Sequence, residues 1–97
     1  MWEGLLPIGS VVQLIGSPRK FLIICTCALK DGEEKKIYDY AACLFPQGYS
    51  DYNELYMFDR EQIDKIFCVG YMTPECDAWT EQNEKNIRGL RDGSIAF

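Results

Sequence analysis

The sequence contains no histidine. This absence removes the side chain that proteins use most often as a general base, as a metal ligand and as a switch near neutral pH. Glycine-rich phosphate loops are also missing, because Gly9 and Gly16 only flank one predicted strand and match neither phosphate fingerprint. We therefore expect a protein that is not an enzyme and that carries no cofactor.

The five cysteines do not form a CxxC pair. Structural zinc sites usually use two such pairs, so we expect no metal site. Cys25 and Cys27 are predicted to be buried in a strand, where they would act as small apolar residues. Cys76 lies near a predicted helix N-terminus, but Glu75 and Asp77 beside it disfavour a thiolate, and a plain helix position is the simpler interpretation. A thiol or zinc enzyme is the alternative, and metal analysis with thiol titration would test it.

Long apolar runs are absent as well. No stretch approaches the roughly 20 residues that cross a bilayer, and Met1 is followed by Trp2-Glu3-Gly4 instead of the basic and apolar regions of a signal peptide. We expect a chain kept in the reducing cytoplasm. The net charge is −5, which repels phosphate backbones and anionic lipids. The expected partner is therefore a protein, with neither nucleic acid nor a membrane involved.

The 97 residues predict one domain, 1–97, with a β-rich core over 5–71 and a C-terminal helix over 74–92. The alternating and β-branched segments predict these strands: Ser10–Ile15, Lys20–Leu29, the stretch from Ile37 that stops at Pro46, Leu55–Phe58 and Asp64–Tyr71. The second strand should be central, because it is apolar on both faces, with Phe21, Ile23 and Cys25 on one of them. A charged hairpin around Asp31-Gly32 joins it to the third strand.

Helical signals are confined to two places. Residues 59–63 allow a single turn, predicted as 3₁₀. Thr73 caps a longer helix whose first position is Pro74. Together these elements predict an α+β fold, with about five strands in a strongly bent antiparallel sheet or a small SH3-like barrel and the helix appended.

The helix has only a thin apolar stripe, formed by Cys76, Trp79, Asn83, Ile87 and Leu90. Such a stripe packs weakly on its own domain or contacts another chain, and in the second case the chain could form a homo-oligomer through this helix.

Two further features need an explanation. Asp39 interrupts an otherwise apolar strand; it is predicted to accept hydrogen bonds from a turn or a tyrosine hydroxyl, or else to line a contact site. The other feature is a set of aromatic residues of the types that enrich interface hot spots, which we predict to bind a protein partner. They are Tyr49, Tyr52, Tyr56 and Trp79.

Several motifs resemble a known family. They are Leu5-Leu6-Pro7-Ile8-Gly9-Ser10-Val11-Val12, Tyr38-Asp39-Tyr40, Cys43-Leu44-Phe45-Pro46-Gln47-Gly48-Tyr49, Phe58, Ile63-Asp64, Phe67 and Gly70-Tyr71. Taken in the order in which they occur along the chain, these motifs resemble the DUF4176 family, a small Firmicutes domain of unknown function. The resemblance implies a genetic context beside LXG toxins and the small helical partners of the type VIIb (Esx) secretion system. It carries no catalytic residues.

Beside the thiol or zinc enzyme, two protein-binding hypotheses follow from the sequence. The first is a non-catalytic chaperone or targeting factor that binds a cognate LXG toxin and keeps it competent for secretion. The alternative is an immunity protein, since small acidic proteins can neutralise basic toxin domains by charge complementarity.

Overall fold

The computed structural model describes residues 2–30, 36–51 and 54–96. Five strands form one antiparallel sheet in the order β4-β3-β2-β1-β5. The strands are β1 Val11–Leu14, β2 Lys20–Lys30, β3 Lys36–Phe45, β4 Tyr56–Phe58 and β5 Ile63–Cys68. A 3₁₀ turn, Arg60–Gln62, precedes β5, and helix α1 spans Pro74–Asp92. The α+β fold, the central β2 and the single helical turn before the last strand are as predicted, while the hairpin residues 31–35 lie outside the described residues.

The core lies between the sheet, the N-terminal segment and α1. Val12, Phe21, Ile23, Tyr40 and Phe58 supply it from the sheet, and each is at most 4% exposed. Leu5, Leu6, Ile63 and Ile87 complete the same cluster. Three aromatic side chains pack on one another there, with the rings of Tyr40 and Phe58 5.5 Å apart and those of Phe21 and Phe58 6.2 Å apart.

Among the described strands, the register shifts once between β2 and β3 and twice between β1 and β5. Two of these three shifts bear on the predicted facing of side chains. In β2, Ile23 pairs with Ala42 and Cys25 with Ala41, so Ile24 is an extra residue between them. The predicted alternation placed Cys25 on the face of Phe21 and Ile23, and that placement is wrong: Cys25 is exposed while the other two are buried. An extra residue in one strand reverses the facing of the next residue, because side chains alternate with a period of two. Two positions further on, Cys27 has a φ of 55° and packs against the core.

The second bulge lies between β1 and β5. Val11 pairs with Cys68 and Val12 with Ile66, so Phe67 is the extra residue. Regular alternation along this strand predicts Ile66 and Cys68 on one face, but Ile66 packs against the core and Cys68 is exposed. The prediction that Cys25 and Cys27 are buried is therefore wrong for Cys25, whereas Cys27 is half-buried against the core.

Helix α1 begins and ends as its sequence indicates. Thr73 Oγ1 accepts a hydrogen bond from Cys76 N at 3.0 Å, Pro74 takes the first helical position and Gly93 closes the helix with φ 85°. Beyond Gly93, Ile95 N returns to Gly89 O at 3.0 Å.

The helix packs on the sheet of its own domain. Asn83, Ile87 and Gly89 are its buried residues, and Leu90 packs against the core. Trp79 lies outside this face and is 59% exposed. In the predicted stripe, Asn83, Ile87 and Leu90 therefore contact the rest of the domain. Trp79, the largest residue of the stripe, points to solvent.

Candidate functional site

The carboxylate of Asp39 is fully buried and paired with Arg60. Its Oδ2 accepts hydrogen bonds from Arg60 N and Arg60 Nε, each at 2.9 Å, and its Oδ1 accepts one from Arg60 Nη2 at 3.1 Å. Burial raises the pKa of Asp39, but the hydrogen bonds from Arg60 and the charges of Arg60 and Arg91 outweigh it, so the pKa is lowered. The turn predicted as a partner for Asp39 is therefore the 3₁₀ turn that begins at Arg60.

Three more side chains extend this pair into an ionic cluster that joins the sheet to α1. Arg60 donates from Nη1 to Glu84 of the helix at 3.2 Å and also from Nη2. Arg91 follows Glu84 by seven positions in the helix. Its Nη2 donates to Asp59 Oδ1 at 2.9 Å and lies 3.5 Å from Asp39 Oδ1. Asp59 Oδ1 also accepts from Asp39 N at 3.0 Å. The ionic cluster thus holds β3, the 3₁₀ turn and α1 together.

Tyr40 fastens the N-terminal segment to the same region. Its hydroxyl accepts a hydrogen bond from Leu6 N at 2.8 Å, and burial raises the pKa of this phenol. Ahead of Leu6, the indole of Trp2 donates to Leu5 O at 3.2 Å. Residues 2–7 are therefore held beside α1, and a groove lies between this segment and the helix.

This N-terminal groove lies between residues 2–7 and the first half of α1 and has a volume of about 220 Å³. Its apolar lining comes from Trp2, Leu5, Pro7 and Met72. Every charged residue that lines it within the described chain is acidic, and these are Glu3, Asp77, Glu81 and Glu84. The arrangement can hold a group that has an apolar part and a positive charge.

The N-terminal groove was not predicted from the sequence. One signal was available: Asp77, Glu81 and Glu84 are spaced by four and three residues, which places three carboxylates on one helical face. The Arg60 partner of Asp39 was also missed, since 21 positions separate the two residues.

The structure separates the aromatic residues predicted to bind a partner. Tyr49 is 59% exposed and lines a second cavity of about 180 Å³ with Cys43 and Gln47. Tyr56 is half-buried against the core, its ring 5.2 Å from that of Phe21. Trp79 lies on the outer face of α1, and Tyr52 lies outside the described residues.

The thiols are spread over the surface and the core. Burial raises the pKa of Cys25 and, together with the neighbouring Cys25 charge, that of Cys27. Within residues 2–30, 36–51 and 54–96, no three Cys, Asp or Glu side chains converge in a way that could hold a metal ion. In the same part of the chain, none of the helices has the length and apolar character needed to cross a membrane.

The fold and its surface define a small α+β domain with an acidic, partly apolar groove and several exposed aromatic side chains. The chain belongs to the family described as Domain of unknown function (DUF4176), whose sequence model matches residues 5–78. That match contains the whole sheet and the start of α1. Neither the curated proteins nor the solved structures contain a match to the chain.

Proposed function

We propose that this protein is a non-catalytic accessory factor that binds a cognate LXG toxin in the cytoplasm and keeps it competent for type VIIb secretion. The family membership supports the proposal, because the resemblance to DUF4176 proteins implies genes that neighbour such toxins. The partner would be the toxin itself or its helical export domain.

The observation that carries the proposal is the amount of large apolar side chain left on the surface of an acidic domain. Tyr71 is 86% exposed, Tyr49 and Trp79 are each 59% exposed, and Met72 is 45% exposed. Exposed tyrosine and tryptophan are the residue types that anchor protein interfaces. The net charge of −5 would favour a partner with a basic surface.

The buried ionic groups support a structural role for the interior. Asp39 and Arg60 satisfy each other through three hydrogen bonds. Every buried side-chain N or O atom in the described residues has a hydrogen-bond partner. These buried groups therefore stabilise the fold, and we assign the proposed binding function to the surface.

Deletion of the gene for this protein tests the proposal. In the native secreting strain, deletion of the gene should abolish export of the toxin while growth is unaffected, and re-expression should restore export. A toxin that is exported equally well without this protein would refute the proposal.

The immunity alternative draws on the same acidic charge, which suits a basic toxin domain. It makes the opposite prediction in a strain that produces the toxin inside the cell: an immunity protein rescues growth, whereas an export factor does not. Binding to separate N-terminal and C-terminal toxin domains gives a second, independent distinction.

A further inference from the structure

We infer that the N-terminal groove binds a lysine- or arginine-bearing segment of a protein partner, with the aliphatic stems of the basic side chains on Trp2 and Met72 and their charged ends at Asp77 and Glu81. This inference rests on the proposed function and deepens it, because it locates a binding site on the molecule and specifies that the bound segment of the partner is basic.

The shape and lining of the groove support an apolar contact. Trp2 is 37% exposed and Met72 45% exposed, and both line the groove. Trp2 is held at its inner edge, since its indole N–H is already bonded to Leu5 O. A flat indole and a flexible thioether are surfaces on which the methylene groups of lysine and arginine pack well, and the indole face also attracts their charge.

The negative charge of the groove favours a basic occupant. Of its four carboxylates, Glu84 is engaged by Arg60. Within residues 2–30, 36–51 and 54–96, the ion pair of Glu81 is a long contact of 3.9 Å with exposed Lys85. Negative potential therefore remains along one wall beside the apolar lining. A basic segment matches both features, and rim charges of this kind speed and select association.

Other occupants fit less well. A second copy of this chain would bring its own charge of −5 toward the same acidic wall. A bare divalent cation would leave the apolar side unused, because Trp2, Leu5, Pro7 and Met72 face the groove and hard cations need oxygen ligands on most sides.

Tryptophan fluorescence tests the inference directly. The chain has two tryptophans, so Trp79→Phe leaves Trp2 as the only reporter, and its emission should change on titration with a synthetic amphipathic lysine–leucine peptide. The same peptide with glutamate in place of lysine should give no change. Binding of the basic peptide should weaken as salt is added, because the attraction is between exposed charges.

A pair of matched variants, made in the Trp79→Phe background, locates the binding. Asp77→Asn with Glu81→Gln should weaken binding about tenfold. Asp64→Asn with Glu61→Gln changes the net charge equally at exposed positions outside the groove and should leave the affinity unchanged. Circular dichroism verifies that both variants are folded.

Equal affinities for the two variants, or unchanged Trp2 emission with the basic peptide, would overturn the groove assignment. Toxin export in the native strain reports separately on the proposed function. Export that depends on this protein but is insensitive to the groove variant refutes only the groove, whereas export independent of the protein refutes the proposed function even if the peptide binds.

Discussion

Arg60 contacts Asp39 with its main chain and its side chain at once: its backbone N and its Nε each donate to Asp39 Oδ2 at 2.9 Å. A single carboxylate thus fixes both the start of the 3₁₀ turn and the direction of the arginine that reaches α1. The interaction joins β3 to the helix through one residue.

Asp39→Asn should destabilise the protein by about 1.5–3 kcal/mol, because it removes one of the two carboxylates bonded to Arg60 and places an amide NH₂ group beside the guanidinium. Urea unfolding followed by far-UV circular dichroism measures the loss. Asp64→Asn, at an exposed position of β5, is the matched control and should change stability by less than about 0.5 kcal/mol. Similar values for the two variants would refute the structural role of Asp39.

Acid should remove the contribution of Asp39. Its pKa lies below the ordinary value of 3.8 in the folded protein, so the unfolded chain binds the proton first as the pH falls. The stabilisation is therefore fully present above about pH 4 and is lost as the pH drops through the folded pKa. The difference in unfolding free energy between wild type and Asp39→Asn should shrink below pH 4, and a difference that stays constant down to about pH 2 would contradict this.

Tyr40→Phe should loosen the N-terminal segment. The buried Leu6 N–H would lose its acceptor, the Tyr40 hydroxyl at 2.8 Å, at a cost of about 1–3 kcal/mol. Hydrogen exchange measured by NMR should show faster exchange of the Leu6 amide. Tyr49→Phe removes a hydroxyl from an exposed ring and should change neither quantity; unchanged Leu6 exchange in Tyr40→Phe would contradict the assignment.

Gly70→Ala should destabilise the protein by about 1–3 kcal/mol. A Cβ at Gly70 would lie 2.2 Å from Ile8 O, so the two backbone segments must separate to admit it. Gly70 N also donates to Ser10 Oγ at 3.0 Å, and that bond would weaken with the separation. Thermal unfolding measures the effect against Gln47→Ala, an exposed control. A melting temperature equal to that of the control would show that the segments can adjust freely.

Thiol labelling should follow the observed burial. Cys43 is buried and Cys68 is exposed, so iodoacetamide followed by mass spectrometry should modify Cys68 in the folded protein well before Cys43. Because burial raises the pKa of Cys25, its labelling should need a higher pH than that of a free thiol. Equal rates at Cys43 and Cys68 would contradict the placement of these strands.

The sequence was sufficient to predict the helix and strands, but it was not sufficient to predict which side chains of each strand face the core. Thr73 and Pro74 located the start of α1 because capping chemistry is local. The bulges at Ile24 and Phe67 could not be predicted, since neither position carries a glycine or another residue that marks a bulge. Those two extra residues account for the errors at Cys25 and Cys68.

The candidate site was less predictable than the fold for a related reason. Asp39 was recognised as unusual, but its partner depends on how the 3₁₀ turn docks on β3, which is a tertiary contact. The groove joins Trp2 to helical carboxylates more than 70 positions away, and no local pattern links the two. Exposure of Trp79 depends on the rotation of α1 on the sheet, which the thin apolar stripe did not determine.

The most direct test of the account is a calorimetric titration of this protein with the N-terminal export domain of an LXG toxin, the partner that we propose. We predict a saturable complex with micromolar or tighter affinity, weakened by Trp79→Ala combined with Tyr49→Ala. The absence of heat at micromolar concentrations, together with separate elution of the two proteins in gel filtration, would contradict a toxin-binding role through that domain.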